Sequence, residues 1–182
     1  MPSTGTPEGA MKIFGLAGWS GAGKTTLMCA LIPALTRRGL RVSTLKHAHH
    51  TFDIDTPGKD SYEHRRAGAT EVMVASANRW ALVHELRGAP EFTSEKLIEQ
   101  MTPVDLLLIE GFKRESHAKL EVHRPSLGKP LLCPDDQHVV AVASDAPLSG
   151  LSVPQLDLDD VEAIATFIIA HCGLTERARG VA

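Results

Sequence analysis

Short apolar runs alternate with longer stretches of helical spacing along this chain, and the alternation predicts an α/β fold. Met11-Lys-Ile-Phe-Gly-Leu-Ala17 reads as a buried strand, and Leu27-Met-Cys-Ala-Leu-Ile32 reads as the start of a helix. Pro33 lies inside that helix and should kink it or remove one backbone bond, while Gly39 stops it. A second strand follows and ends at Leu45. Lys46 to Asp60 is polar, rich in His, Asp, Pro and Gly, and reads as a loop; Ser61 to Gly68 predicts a short charged helix. Glu71-Val-Met-Val-Ala75 and Trp80-Ala-Leu-Val-His84 predict two strands joined as a hairpin through Ser76-Ala-Asn-Arg79. Phe92 to Gln100 predicts a short helix, and Val104-Asp-Leu-Leu-Leu-Ile109 is the most apolar strand, hence a central one. Further strands are expected at Lys119–His123 and His138–Ala143, with an amphipathic closing helix from Val161 to His171. The expected architecture is a mainly parallel sheet flanked by helices, with the hairpin as an antiparallel addition.

Between the first strand and the first helix stands Gly18-Trp-Ser-Gly-Ala-Gly-Lys-Thr25. This meets the phosphate-binding P-loop pattern G-x-x-x-x-G-K-[ST] in its required strand–loop–helix setting, so the expected fold is that of a P-loop NTPase. A triphosphate concentrates negative charge, and the backbone must approach it closely; Gly18, Gly21 and Gly23 remove side chains that would block that approach. The N–H groups through Ser20, Gly21, Ala22, Gly23 and on to Thr26 then point inward as donors, and the helix N-terminus adds its positive end. Lys24 would reach the β- and γ-phosphates, and Thr25 would place its hydroxyl on Mg²⁺. A glycine turn that binds nothing is a poor reading in this setting. One nucleotide-binding domain is expected over residues 11–174, between a flexible leader, 1–10, and a polar tail, 175–182.

In a parallel sheet, ligands gather at the carboxyl ends of strands. Glu110 ends the apolar strand, so it is expected on the same rim as the P-loop, where it would hold Mg²⁺ or orient an attacking water. Asp105 starts that strand and is expected at the opposite rim in a structural role. The loop from Lys46 leaves three readings open: a switch-like segment whose Asp53 or Asp55 helps hold Mg²⁺, a transition-metal site at His47, His49 and His50, or a plain polar loop. Lys59, Arg65, Arg66, Lys113 and Arg114 would either contact a phosphate-bearing partner or form a solvated face. The guanine motif N-K-x-D is missing, but Ser144-Asp145 follows a strand where it would lie. Asp145 would then accept from guanine N1–H and N2–H₂, or cap the turn before Pro147.

Composition narrows the field. The formal net charge is −3 and aromatic content 4%, which gives no footing for nucleic-acid binding by charge or by base stacking. No apolar run reaches the roughly 18 residues of a membrane span, and the first ten residues lack the pattern of a signal peptide. Cytoplasm is the expected compartment. Cys29, Cys133 and Cys172 form neither a disulfide framework nor a zinc motif, and Cys29 is expected as a small core residue on the P-loop helix.

Taken in order, the P-loop through Thr26, Lys46-His-Ala-His-His50, Phe52-Asp-Ile-Asp-Thr-Pro-Gly-Lys-Asp-Ser61, His64-Arg-Arg-Ala-Gly-Ala69 and Leu108-Ile-Glu-Gly-Phe-Lys113 resemble the MobB family of molybdopterin-guanine dinucleotide biosynthesis. The resemblance spans about residues 11 to 145. Generic P-loop enzymes lack the second acidic segment and the Glu-Gly-Phe-Lys turn. The resemblance implies a P-loop GTPase fold related to metal-insertion GTPases, GTP and Mg²⁺ as ligands, slow hydrolysis and a homodimer. It implies an accessory role beside the guanylyltransferase that joins GMP to molybdopterin, with molybdopterin itself a candidate ligand. By position, Gly21, Gly23, Lys24, Thr25 and Thr26 would hold phosphate and metal, Glu110 would stand at the metal rim, and Asp53 is the weaker extension. No catalytic glutamine or arginine finger stands at a recognisable position. The alternatives are a small-molecule kinase, with Asp53 or Asp55 as base, a metallochaperone GTPase using the histidines, and a module for which nucleotide is only a regulatory ligand.

Overall fold

The computed structural model describes residues 10–48, 52–111 and 115–177. The chain forms two compact units, one of Met1–His47 with Met101–Ala182 and the other of Ala48–Gln100.

The first unit is built on a six-stranded, all-parallel sheet. Its strands are β1 (Lys12–Ala17), β2 (Val42–Lys46), β5 (Leu106–Glu110), β6 (Lys119–His123), β7 (Val139–Ser144) and β8 (Gln155–Asp157), in spatial order β2-β5-β1-β6-β7-β8. β1 is therefore central, and Leu16 and Lys46 both lie in register with Glu110. Strands buried on both faces read as unbroken apolar runs, and Leu106, Leu107, Leu108 and Ile109 are all fully buried. β6 is the exception. Its Lys-Leu-Glu-Val-His alternates like a half-exposed strand, yet all five residues are buried between β1 and β7. β8 has no counterpart in the sequence expectations: three residues are too few to show a period.

α1 (Lys24–Arg37) and α4 (Val161–Cys172) pack against each other and against β1. Leu27, Met28, Leu31, Ala34 and Leu35 form the buried stripe of α1. They close over Phe14, Leu16, Ile164 and Ile168 in one apolar cluster. Cys29, expected in the core, is exposed, because it falls outside the stripe that faces the sheet. The helix runs through Pro33 to Arg37. The Asp160 side chain caps α4 by accepting from Ala163 N at 2.9 Å, and Gly173 ends it in the left-handed region. Arg38, largely buried, ties the two helices by donating to Glu162 at 2.6 Å.

The second unit holds α2 (Asp60–Arg66), β3 (Glu71–Ala75), β4 (Trp80–His84) and α3 (Ser94–Ile98). The hairpin is as expected, closed by Ser76 N donating to Arg79 O at 2.8 Å, but it forms a two-stranded sheet of its own. Among the described residues no helix is long and apolar enough to cross a membrane.

Candidate functional site

Loop geometry at the end of β1 follows from its glycines. Gly18 has φ 138°, and a Cβ there would lie 2.3 Å from Val122 O, so only glycine lets the loop leave β1 this close to β6. Gly23, at φ 103°, is the N-cap of α1 and turns the chain into the helix. Leu27 N donates to Gly23 O at 2.9 Å, which starts the helical ladder one residue before Lys24. Lys24 Nζ donates to Gly18 O and Trp19 O, each at 3.0 Å, so the ammonium arches over its own loop. Thus Gly18, Ser20, Gly21, Ala22, Gly23, Lys24, Thr25 and Thr26 come together as one cradle at the head of a 14-residue helix. Phosphate is the chemistry that such a cradle accommodates.

Thr25 and Glu110, 85 positions apart in sequence, meet here. Thr25 Oγ1 donates to Glu110 Oε1 at 2.8 Å, and Lys46 Nζ lies 3.7 Å from the same oxygen. Register explains the meeting: β5 lies between β1 and β2, and all three strands finish on one rim. Glu110 is held there by its own backbone, since His47 N donates to Glu110 O at 2.9 Å. Gly111 has φ 100°, and a Cβ on it would press 2.9 Å from His47 Cβ. A hydroxyl and a carboxylate side by side at the glycine loop are hard oxygen donors of the kind that suit Mg²⁺.

The segment after β6 lies against the P-loop, and sequence reasoning missed it. Arg124 is its first residue. Nε of Arg124 donates to Ala22 O at 3.2 Å and Nη1 donates to the Asp145 carboxylate. A 3-10 turn follows at Pro125–Leu127, with Leu127 Cδ2 3.9 Å from where a Gly21 Cβ would be. Trp19 Nε1 reaches back to donate to Pro130 O at 2.8 Å, and Lys129 Nζ stands 5.7 Å from the Trp19 ring centre. Glu121, fully buried on β6, anchors the far end: its two oxygens accept from Leu132 N at 2.8 Å and Cys133 N at 2.9 Å. The carboxyl-end rule that selected Glu110 also points to Arg124, one residue past β6.

Asp145, expected as a base reader or a turn cap, stands just past β7 in an ion pair with Arg124. The neighbouring turn is capped instead by Ser144 Oγ, which accepts from Ala146 N at 3.3 Å. Asp105 lies at the opposite end of β5, as expected, and accepts from Arg41 N at 2.7 Å. Burial pushes its carboxyl up, but the Arg41 N–H and guanidinium, with Arg177, outweigh this and hold it below the usual range.

Asp53 belongs to the second unit. Its Oδ1 accepts from Asp55 N, and both its oxygens accept from Arg65 Nη2, all at 2.9 Å; the Asp55 N–H and then Arg65 hold its pKa low. Arg65 also donates to Asp55 at 3.1 Å and to Glu85 at 2.8 Å, so this arginine, expected as a phosphate contact or a solvated charge, organises an acidic cluster within its unit. Among the described residues no group of three or more His, Cys, Asp or Glu side chains is placed to hold a metal ion. His49, His50, Lys113 and Arg114 lie outside the described residues.

The comparisons with known proteins agree with this fold. The family model for molybdopterin guanine dinucleotide synthesis protein B matches residues 13–145. A molybdopterin-guanine dinucleotide biosynthesis adapter protein of Escherichia coli is 48% identical over 160 residues, covering 86% of this chain and 91% of that protein. One from Haemophilus influenzae is 41% identical, covering 86% of each. A crystal structure of molybdopterin-guanine biosynthesis protein B superposes with a TM-score of 0.66 at 26% identity, over 88% of this chain and 99% of that one. The fold also matches Bacillus subtilis MobB, with a TM-score of 0.69 at 24% identity over 89% and 98%.

Proposed function

This chain belongs to the molybdopterin guanine dinucleotide synthesis protein B family, and from that premise we propose that it is an adapter in molybdopterin guanine dinucleotide biosynthesis that binds GTP with Mg²⁺ on its P-loop. It hydrolyses GTP slowly and assists the guanylyltransferase, working in the cytoplasm as a homodimer. The observation that carries the nucleotide reading is the Thr25–Glu110 hydrogen bond beside the glycine cradle. The family relationship supplies the biosynthetic setting.

In this reading the backbone from Gly18 to Thr26 receives the phosphates, and Lys24 leaves the Gly18 and Trp19 carbonyls for the β- and γ-phosphate oxygens. Thr25 and Glu110 hold the magnesium ion, whose charge, once bound, offsets that developing on the phosphates. Glu110 is committed to Thr25 and Lys46, which fits an enzyme of slow turnover better than one with a dedicated base. Asp145 is the acceptor for the guanine edge.

Lys24→Ala tests the site directly. Calorimetric titration with GTP and Mg²⁺ should lose at least about a hundredfold in affinity, the scale of removing a buried charge from a phosphate contact. Unaltered binding by a folded Lys24→Ala variant would rule the P-loop out as the site.

A further inference from the structure

We propose that Arg124 is a positioning residue: by joining the P-loop carbonyl of Ala22 to the carboxylate of Asp145, it sets the protein's preference for guanine over adenine. This deepens the nucleotide reading above and rests on it.

The sheet fixes the direction in which a nucleotide must lie. Its phosphates sit at the end of β1, and its metal edge faces Glu110 on β5. The nucleoside must then leave on the other side, over β6 toward β7. β7 lies two strand spacings from β1, about 10 Å. Asp145 follows the last residue of β7, and its rim is firmly placed: Ser144 is buried, in register with His123, and Ser144 O accepts from Leu158 N at 3.0 Å. A carboxylate has room for about four hydrogen bonds over two oxygens. Arg124 takes Oδ2 through Nη1 and leaves Oδ1 to accept. Guanine presents two donors on its edge, N1–H and N2–H₂, where adenine presents an acceptor at N1, so the placing of this carboxylate discriminates between them.

Arg124 can do this because it stands just past the strand that lies between the two sites. From the end of β6 its planar fork faces both ways, with Nε toward the Ala22 carbonyl and Nη1 toward Asp145. Its guanidinium packs beside Gly23, with Nε 3.7 Å and Nη2 3.8 Å from where a Cβ would stand, so it also touches the residue that turns the P-loop into α1. A shift of the phosphate cradle is thereby passed to the base-reading carboxylate. Lysine has no fork and cannot hold both partners in this geometry.

The experiment is calorimetric titration of the full chain with GTP, ATP and inorganic tripolyphosphate, each with Mg²⁺, for wild type, Arg124→Ala, Arg124→Lys, Asp145→Ala and Arg124→Ala with Asp145→Ala. The proposal predicts that wild type prefers GTP to ATP and that Arg124→Ala lowers that ratio about tenfold. Its tripolyphosphate affinity should change less than about threefold, since the cradle itself is kept. Arg124→Lys should fail to restore the ratio, and the double variant should be no less selective than Asp145→Ala alone. Three outcomes overturn the proposal alone: an unchanged ratio in Arg124→Ala; loss of tripolyphosphate binding in step with GTP, which would make Arg124 part of the cradle; and equal wild-type binding of GTP and ATP, which would still leave the P-loop a phosphate site. Wild type that binds none of the three ligands would overturn the nucleotide reading as well.

Discussion

Replacing Glu121 by glutamine should destabilise the first unit severely for so small a change. The carboxylate is fully buried, and each oxygen accepts a backbone N–H, from Leu132 at 2.8 Å and from Cys133 at 2.9 Å. An amide keeps the shape but offers one carbonyl oxygen; its NH₂ then faces the other N–H, donor against donor. One buried N–H is left without an acceptor, at about 1–3 kcal/mol. The remaining bond changes from charge-assisted to neutral and loses about 1 kcal/mol more. The sum is about 2–4 kcal/mol, which for a chain of this size lowers Tm by about 5–15 °C. Thermal and urea unfolding followed by circular dichroism would measure it. A Tm within about 1 °C of wild type would refute the reasoning, because it would mean that the 132–133 backbone finds other partners and does not hang on β6.

Other expected outcomes follow from single positions. Gly18→Ala forces a Cβ to within 2.3 Å of a backbone oxygen at a positive φ, so it should cost about 3 kcal/mol or more and impair phosphate binding; a variant as stable as wild type would contradict the loop geometry. Glu110→Gln should raise the Mg²⁺ concentration needed for GTP binding about tenfold while leaving tripolyphosphate binding without metal intact; an unchanged Mg²⁺ requirement would remove Glu110 from the metal rim. Asp136 is also held low: burial opposes this, but the His138 N–H and Lys119 prevail. For Asp105 and Asp136 the folded pKa lies below the unfolded value of 3.8, so their stabilisation is full above that value and is lost as pH falls through the folded pKa. His117, lowered by burial and then by Lys119, has the same sign but an earlier onset, below its unfolded value of 6.5. Urea midpoints should therefore fall in two stages on acidification, and His117→Leu should flatten the first; a midpoint that rises on acidification would contradict the assignment.

What was legible in the sequence was what one local stretch encodes. The P-loop announces itself because close approach to phosphate demands glycines at fixed spacing, and β5 because burial on both faces demands an unbroken apolar run. Glu110 could be placed at the end of β5 beside the P-loop because parallel strands share a carboxyl end, and Thr25 is its hydrogen-bond partner there. β6 hid its burial, since charged side chains at Lys119 and Glu121 are satisfied by partners brought from Glu115, Asp136 and the 132–133 backbone. Arg124 was missed for a related reason: its role comes from contacts 102 positions back, at Ala22, and 21 forward, at Asp145. Cys29 was misplaced because Leu27-Met-Cys-Ala-Leu-Ile is apolar all round, and only the sheet decides which side of α1 is inside.

The most direct test of the central claim is calorimetric titration of the wild-type chain with GTP and with ATP, each with Mg²⁺. The account predicts saturable binding of GTP with a stoichiometry of one per chain, tighter than ATP by about tenfold or more. Binding of ATP in preference to GTP, or of neither, would contradict it.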